Sequence, residues 1–109
     1  MSVYELDLDE TRAGGWVVAA LSGELDLTNA RELEERLVDL PRSDLLVVDL
    51  NRVAFIDSAA LHVLFKLARQ LGPDALAIVL DPDAAISRTF DIVGMRDAVR
   101  VVDSFDALR

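Results

Sequence analysis

The sequence contains no cysteine, a single lysine and a single histidine among its 109 residues. Without cysteine there is no disulfide, no thiolate zinc site and no cysteine nucleophile, as befits a reducing compartment. One histidine argues against a hydrolytic metal centre, and neither a metal nor a cofactor is expected. Proline and glycine are sparse, three and five, in a chain that is 52% hydrophobic, which excludes a disordered tract. Long apolar runs are missing too. The richest, 59–68, is broken by His62 and Lys66, so no membrane insertion is expected. Met1-Ser2-Val3-Tyr4-Glu5 lacks the basic and apolar regions of a signal peptide. Positive charge is scarce, 11 basic residues against 20 acidic ones, for a net charge of −9. Such a surface repels nucleic acid and anionic lipid, so direct binding to either is not expected. The sum is a single cytoplasmic domain over residues 1–109, too short for two.

What is present is organised around Val53-Ala54-Phe55-Ile56-Asp57-Ser58-Ala59-Ala60-Leu61. It follows an apolar run, Leu45 to Leu50, and leads into helical periodicity from Ala59 to Leu71, which reads as strand, loop and helix. Ser58 falls at the helix entrance, where a hydroxyl caps free N–H groups and an anion is favoured. Upstream, Val3 to Asp9 alternates, with Tyr4, Leu6 and Leu8 on one face and Glu5, Asp7 and Asp9 on the other, predicting a strand near a sheet edge. Gly14-Gly15 supplies a turn, and Trp16 to Leu21 is apolar without alternation, so it should be covered on both faces. A helix follows, with Asn29 and Glu32 spaced as a capping box, Ala30, Leu33, Leu37 and Leu40 on its apolar face, and Pro41 at its end.

In the central helix, Ser58, His62, Lys66 and Arg69 are spaced along one polar stripe, and Gly72-Pro73 terminates it. Ala75 to Leu80 predicts a fourth strand. Asp83 is placed to cap a third helix with apolar Ile86, Phe90 and Val93, ending at Gly94. Val99 to Val102 is a short last strand, and 103–108 a final helical turn. The order β-β-α-β-α-β-α-β-α predicts an α/β domain with a mixed, mostly parallel sheet flanked by helices.

Enzyme chemistry finds no good candidate. Asp57, Ser58 and His62 do not read as a catalytic triad, because Ser58 and His62 share one helix face, which does not by itself aim the imidazole at the hydroxyl, and no nucleophile elbow is present. Asp49 and Asp57 invite comparison with a phospho-accepting receiver domain, but the sole lysine, Lys66, lies within the central helix. Two readings of Ser58 remain, a plain helix cap and a phosphorylation site. In the second, Asp57 repels the added charge.

Gly23-Glu24-Leu25-Asp26, Val48-Asp49-Leu50, Val53 to Ser58, and the later Phe90-Asp91-Ile92-Val93-Gly94-Met95 together resemble the anti-sigma factor antagonists, single-domain proteins of the STAS fold. The resemblance runs from Val3 to about Leu108 and implies one STAS domain over 1–109. It implies a partner-switching regulator of transcription. The unmodified protein binds an anti-sigma factor that is also a serine kinase, the kinase inactivates it by phosphorylating the serine that matches Ser58, and a serine phosphatase reverses this. Asp26, Asp57, Ser58 and His62 are then the expected partner-binding patch. Three positions depart from the family pattern. Ala59 and Ala60 stand where a Ser or Thr and a Gly are usual, and His62 where a small residue is frequent. These bear on partner recognition, while the phospho-acceptor is kept. The alternative implied is a STAS scaffold or regulatory subunit bound to another protein, such as a transporter ATPase, without phosphorylation.

Overall fold

The computed structural model describes residues 3–9, 15–41 and 44–108. The alternating N-terminal stretch forms β1, Tyr4–Asp9, and the apolar stretch after it forms β2, Trp16–Leu25. Three further strands follow: β3, Leu45–Ile56; β4, Leu76–Val79; and β5, Val101–Val102. The five make one sheet in chain order, with β1 antiparallel to β2 and every other pair parallel. Gly14, half of the expected first turn, lies outside the described residues. Gly15 is in a turn at φ 74°, and its carbonyl accepts the Asp44 N–H at 2.9 Å.

The parallel strands are joined by α1, Ala30–Val38; by α2, Ser58–Leu71; and by α3, Ser87–Ile92, followed directly by α4, Met95–Ala98. Parallel crossovers are almost always right-handed, so successive ones stepping the same way across a sheet place their helices on the same face. The core agrees with this. Leu33, Leu37, Leu64, Leu67, Phe90 and Met95 from the helices meet Ala19, Leu21, Val48, Leu50 and Ile78 from the sheet. The other face carries Val18, Val47, Ala77 and Val79, covered by Leu108 and Phe105 of a 3-10 turn, Phe105–Leu108. Val17 and Val18 therefore point to opposite cores, which is why β2 shows no alternation.

Several boundaries differ from expectation. β3 does not stop at Leu50 but runs on to Ile56, and β2 extends past Leu21 to Leu25. Two register shifts account for the missed part of β3. Ala20 to Ser22 on β2 faces Asp49 to Arg52, and Gly23 to Glu24 faces Val53 to Phe55, so β3 carries one extra residue at each shift. The buried positions become Leu50, Val53 and Ile56, every third residue, and the period of two that marks a strand is lost. Asp83 does not cap α3. Its N–H donates to Asp81 Oδ1 at 2.8 Å in the preceding turn, and the helix begins only at Ser87. Gly94, at φ 70°, ends α3 as expected, but α4 follows at once and buries Met95. Val99 closes α4 through its N–H to the Met95 carbonyl at 2.9 Å, which shortens β5 to two residues.

Candidate functional site: the head of α2

β2 and β3 end level with one another, Leu25 paired with Ile56, so the chain leaves both at the same end of the sheet. The Asp57 N–H donates to the Leu25 carbonyl at 3.1 Å. The Asp57 carboxylate then joins three backbone donors. Oδ1 accepts the N–H groups of Ala59 at 3.0 Å and Ala60 at 3.2 Å, and Oδ2 accepts the N–H of Leu27 at 3.1 Å. Asp57 is therefore the N-cap of α2, in extended conformation, and it also ties the loop after β2 to the helix head.

Ser58 is the first residue inside the helix and is exposed. The expectation that its hydroxyl caps α2 is overturned, because the neighbouring carboxylate performs that task. Two of the N–H groups that were expected to receive a phosphate on Ser58 are likewise already donated to Asp57. The same three bonds leave Asp57 in no position to orient His62, as a triad would require.

Asp26 is half-buried and closes a turn on itself. Its Oδ1 accepts the Thr28 N–H at 2.9 Å and the Thr28 hydroxyl at 2.6 Å. Asn29 is buried beneath this loop, where Oδ1 accepts the Asp26 N–H at 3.0 Å and Nδ2 donates to the Glu24 carbonyl at 2.8 Å. The expected capping box with Glu32 is thus not made, since Asn29 is committed to the loop. Glu32 instead accepts the Tyr4 hydroxyl at 2.7 Å, which fastens β1 to α1. Partial burial pushes the Tyr4 hydroxyl pKa up, the bond to Glu32 adds to this, and Arg36 opposes it.

Between the loop, α1 and α2 lies a shallow groove of about 370 Å³. Ser58, Ala59, His62 and Val63 form one wall, and Leu27, Ala30, Arg31 and Glu34 the other. Of the four residues expected to share a patch, Ser58 and His62 line this groove. Asp57 and Asp26 shape it from behind through backbone contacts. Lys66, further along the stripe, holds Glu34 at 2.8 Å. Leu27 was not anticipated. It is 77% exposed beside Ser58, an apolar side chain that no helical period requires. It sits between Asp26 and Thr28, which are bonded to one another across it. On its other flank α2 borders a second groove, of about 670 Å³, reached by His62, Phe65, Arg69, Arg96 and Arg100. Phe65 is only half-buried there.

The family model for the STAS domain matches residues 8–108. The chain belongs to the STAS domain family. No curated protein sequence matches it. Among solved structures, this STAS domain is similar to an anti-sigma factor antagonist from Mycobacterium paratuberculosis. The TM-score is 0.81 at 25% identity, over 96% of this chain and 90% of the other. The anti-sigma factor antagonist SpoIIAA in its unphosphorylated form aligns with a TM-score of 0.70 at 16% identity, over 95% and 93% of the two chains. A sulfate transporter family protein from Wolinella succinogenes aligns with a TM-score of 0.67 at 17% identity, over 90% and 89%. The last two likenesses speak for the fold alone. Among the described residues, no helix is long and apolar enough to cross a membrane.

Proposed function

We propose that this STAS domain is an anti-sigma factor antagonist, a cytoplasmic binding protein rather than an enzyme, switched by reversible phosphorylation of Ser58. Unmodified, it binds an anti-sigma factor serine kinase and so releases a sigma factor. The kinase transfers the γ-phosphoryl group of ATP to Ser58 Oγ. A new O–P bond forms, the bond to ADP breaks, and the hydroxyl proton passes to a base of the kinase. A serine phosphatase returns inorganic phosphate with water. The observation that carries this reading is an exposed serine hydroxyl in the first turn of α2 that the helix does not use, because Asp57 is its cap. The 25% identity to an anti-sigma factor antagonist over nearly the whole chain supports it.

The partner surface in this reading is the groove head. Leu27, Ser58 and His62 face outward, while Asp26 and Asp57 fix the backbone beneath them. A phosphate adds about −1.5 to −2 of charge at the centre of that surface. At a packed interface it must be desolvated next to Asp57, and like-charge contact there costs several kcal/mol. Phosphosite mapping on protein from its own cells, followed by affinity measurements with the modifying kinase, tests the reading. The unmodified and Ser58→Ala forms should bind and the phosphorylated form should not. Equal affinities, or a Ser58 that never carries phosphate, would overturn it.

The second reading, a STAS scaffold or regulatory subunit on a protein such as a transporter ATPase, is favoured by Ala59, Ala60 and His62 at the partner-facing turn. It requires no modification of Ser58, so the same mapping separates the two.

A further inference from the structure

A phosphate on Ser58 needs countercharge, and the head of α2 has little left to offer. The Ala59 and Ala60 N–H groups are taken by Asp57, which is itself an anion one residue away. Side-chain donors stand instead along and across the groove. His62 follows Ser58 by four residues on the exposed face of α2, a spacing that brings Cβ atoms to about 5–6 Å. Arg31 reaches the same groove from α1. Its partner is Glu35 at 3.7 Å, outside that lining, with both side chains mostly in water, an exposed pair that holds the guanidinium only weakly. Glu34, the carboxylate on that wall, is matched by Lys66 at 2.8 Å. Arg31 and His62 thus border the same groove as Ser58, where Glu34 is already matched by Lys66.

We propose, resting on Ser58 as the phospho-acceptor, that Arg31 and His62 form a clamp that receives the phosphoserine within the same molecule. The guanidinium offers paired donors to two phosphate oxygens, and the imidazole N–H offers one more. Arg31 and His62 are then regulatory residues for the phosphorylated state. The clamped phosphate fills the groove between Leu27 and Ala59, so the modification occludes the partner surface as well as charging it. His62, which departs from the small residue frequent in the family, acquires a role in this chain.

The test is a phosphorus NMR titration of the full chain with phosphoserine installed at position 58 during translation, which needs no kinase. A free phosphoserine loses its second proton near pH 6. The clamp should lower that midpoint by roughly 0.5–1 unit, at the modest end of what a nearby opposite charge does to an acid. Asp57 acting alone would raise it, so the sign decides. Arg31→Ala and His62→Ala should each return part of the lowering, and Arg31→Lys should keep most of it. Both positions are exposed, so the variants should fold as the parent does, which amide spectra would verify. A midpoint at or above that of free phosphoserine, or one unmoved by the two alanine variants together, would overturn the clamp. Failure to find phosphate on Ser58 in cells counts against the switch, and leaves this titration to judge the clamp separately.

Discussion

Asp57 and Ser58 are neighbours, yet the helix depends on only one of them. Asp57→Ala removes the acceptor for three backbone N–H groups, and should cost about 1–3 kcal/mol, a cap plus the tie to Leu27. Ser58→Ala removes an exposed hydroxyl with no capping task and should stay within about 0.5 kcal/mol. Urea melts showing the reverse order would hand the cap back to Ser58. From sequence, either residue suits an N-cap, and a boundary shift of one position decides between them. The structure gives the cap to Asp57, whose Oδ1 accepts the Ala59 and Ala60 N–H groups while its Oδ2 reaches the Leu27 N–H thirty residues upstream, a tie that no local pattern reveals. Tyr4 gives a second check. Its folded-state pKa lies above the ordinary 10.0, so the folded protein holds that proton more tightly than the unfolded chain. Its contribution is complete below about pH 10 and is lost as pH rises through the higher folded value. Tyr4→Phe should flatten the alkaline end of the stability profile.

Among the elements, α2 was legible because its stripe and its buried face are both long. Leu64→Ala, at a fully buried position, should cost about 2–5 kcal/mol, and Arg69→Ala well under about 1 kcal/mol. Phe65→Ala should fall between them, since that ring is half-exposed in the larger groove. Thermal melts of the three variants would rank them. The second half of β3 was not legible, because two inserted residues turned its period from two to three. The four-residue α4 was too short to carry a period at all. That Ser58 and His62 share one face of α2 was readable from their four-residue spacing. The loop that frames them was not, because Asn29 abandons the cap its sequence position suggests. Gly23 shows the same dependence on distant chain. It has φ 92°, and a Cβ there would collide with the Val3 carbonyl oxygen, which also accepts the Glu24 N–H at 3.0 Å. Gly23→Ala should cost more than about 1 kcal/mol and loosen β1, with faster amide exchange from Tyr4 to Leu6 as the readout.

For the whole molecule, the question is whether phosphate acts on folding or on binding. The net charge is already −9, and exposed charges more than about 10 Å apart are largely screened at 0.1 M salt, so global repulsion adds little. Within the domain, Asp57 opposes the phosphate while Arg31 and His62 attract it. These offset one another, and the melting temperature should barely move. At a packed interface the charge loses much of its water. A loss of about 2.7 kcal/mol already lowers affinity roughly a hundredfold. Ser58→Ala should therefore bind the kinase constitutively. Ser58→Asp should weaken binding less than phosphate does, because its shorter carboxylate carries one charge and does not reach Arg31 as well. Salt separates the causes. A penalty from long-range repulsion would shrink steeply as salt is raised, whereas one from burying a dianion in an occluded groove persists. Calorimetry of the phosphorylated and unmodified forms against the kinase, at low and high salt, should show an affinity ratio that survives high salt. A ratio that collapses toward one would mean that the switch works at a distance, and that the groove beside Ser58 is a bystander.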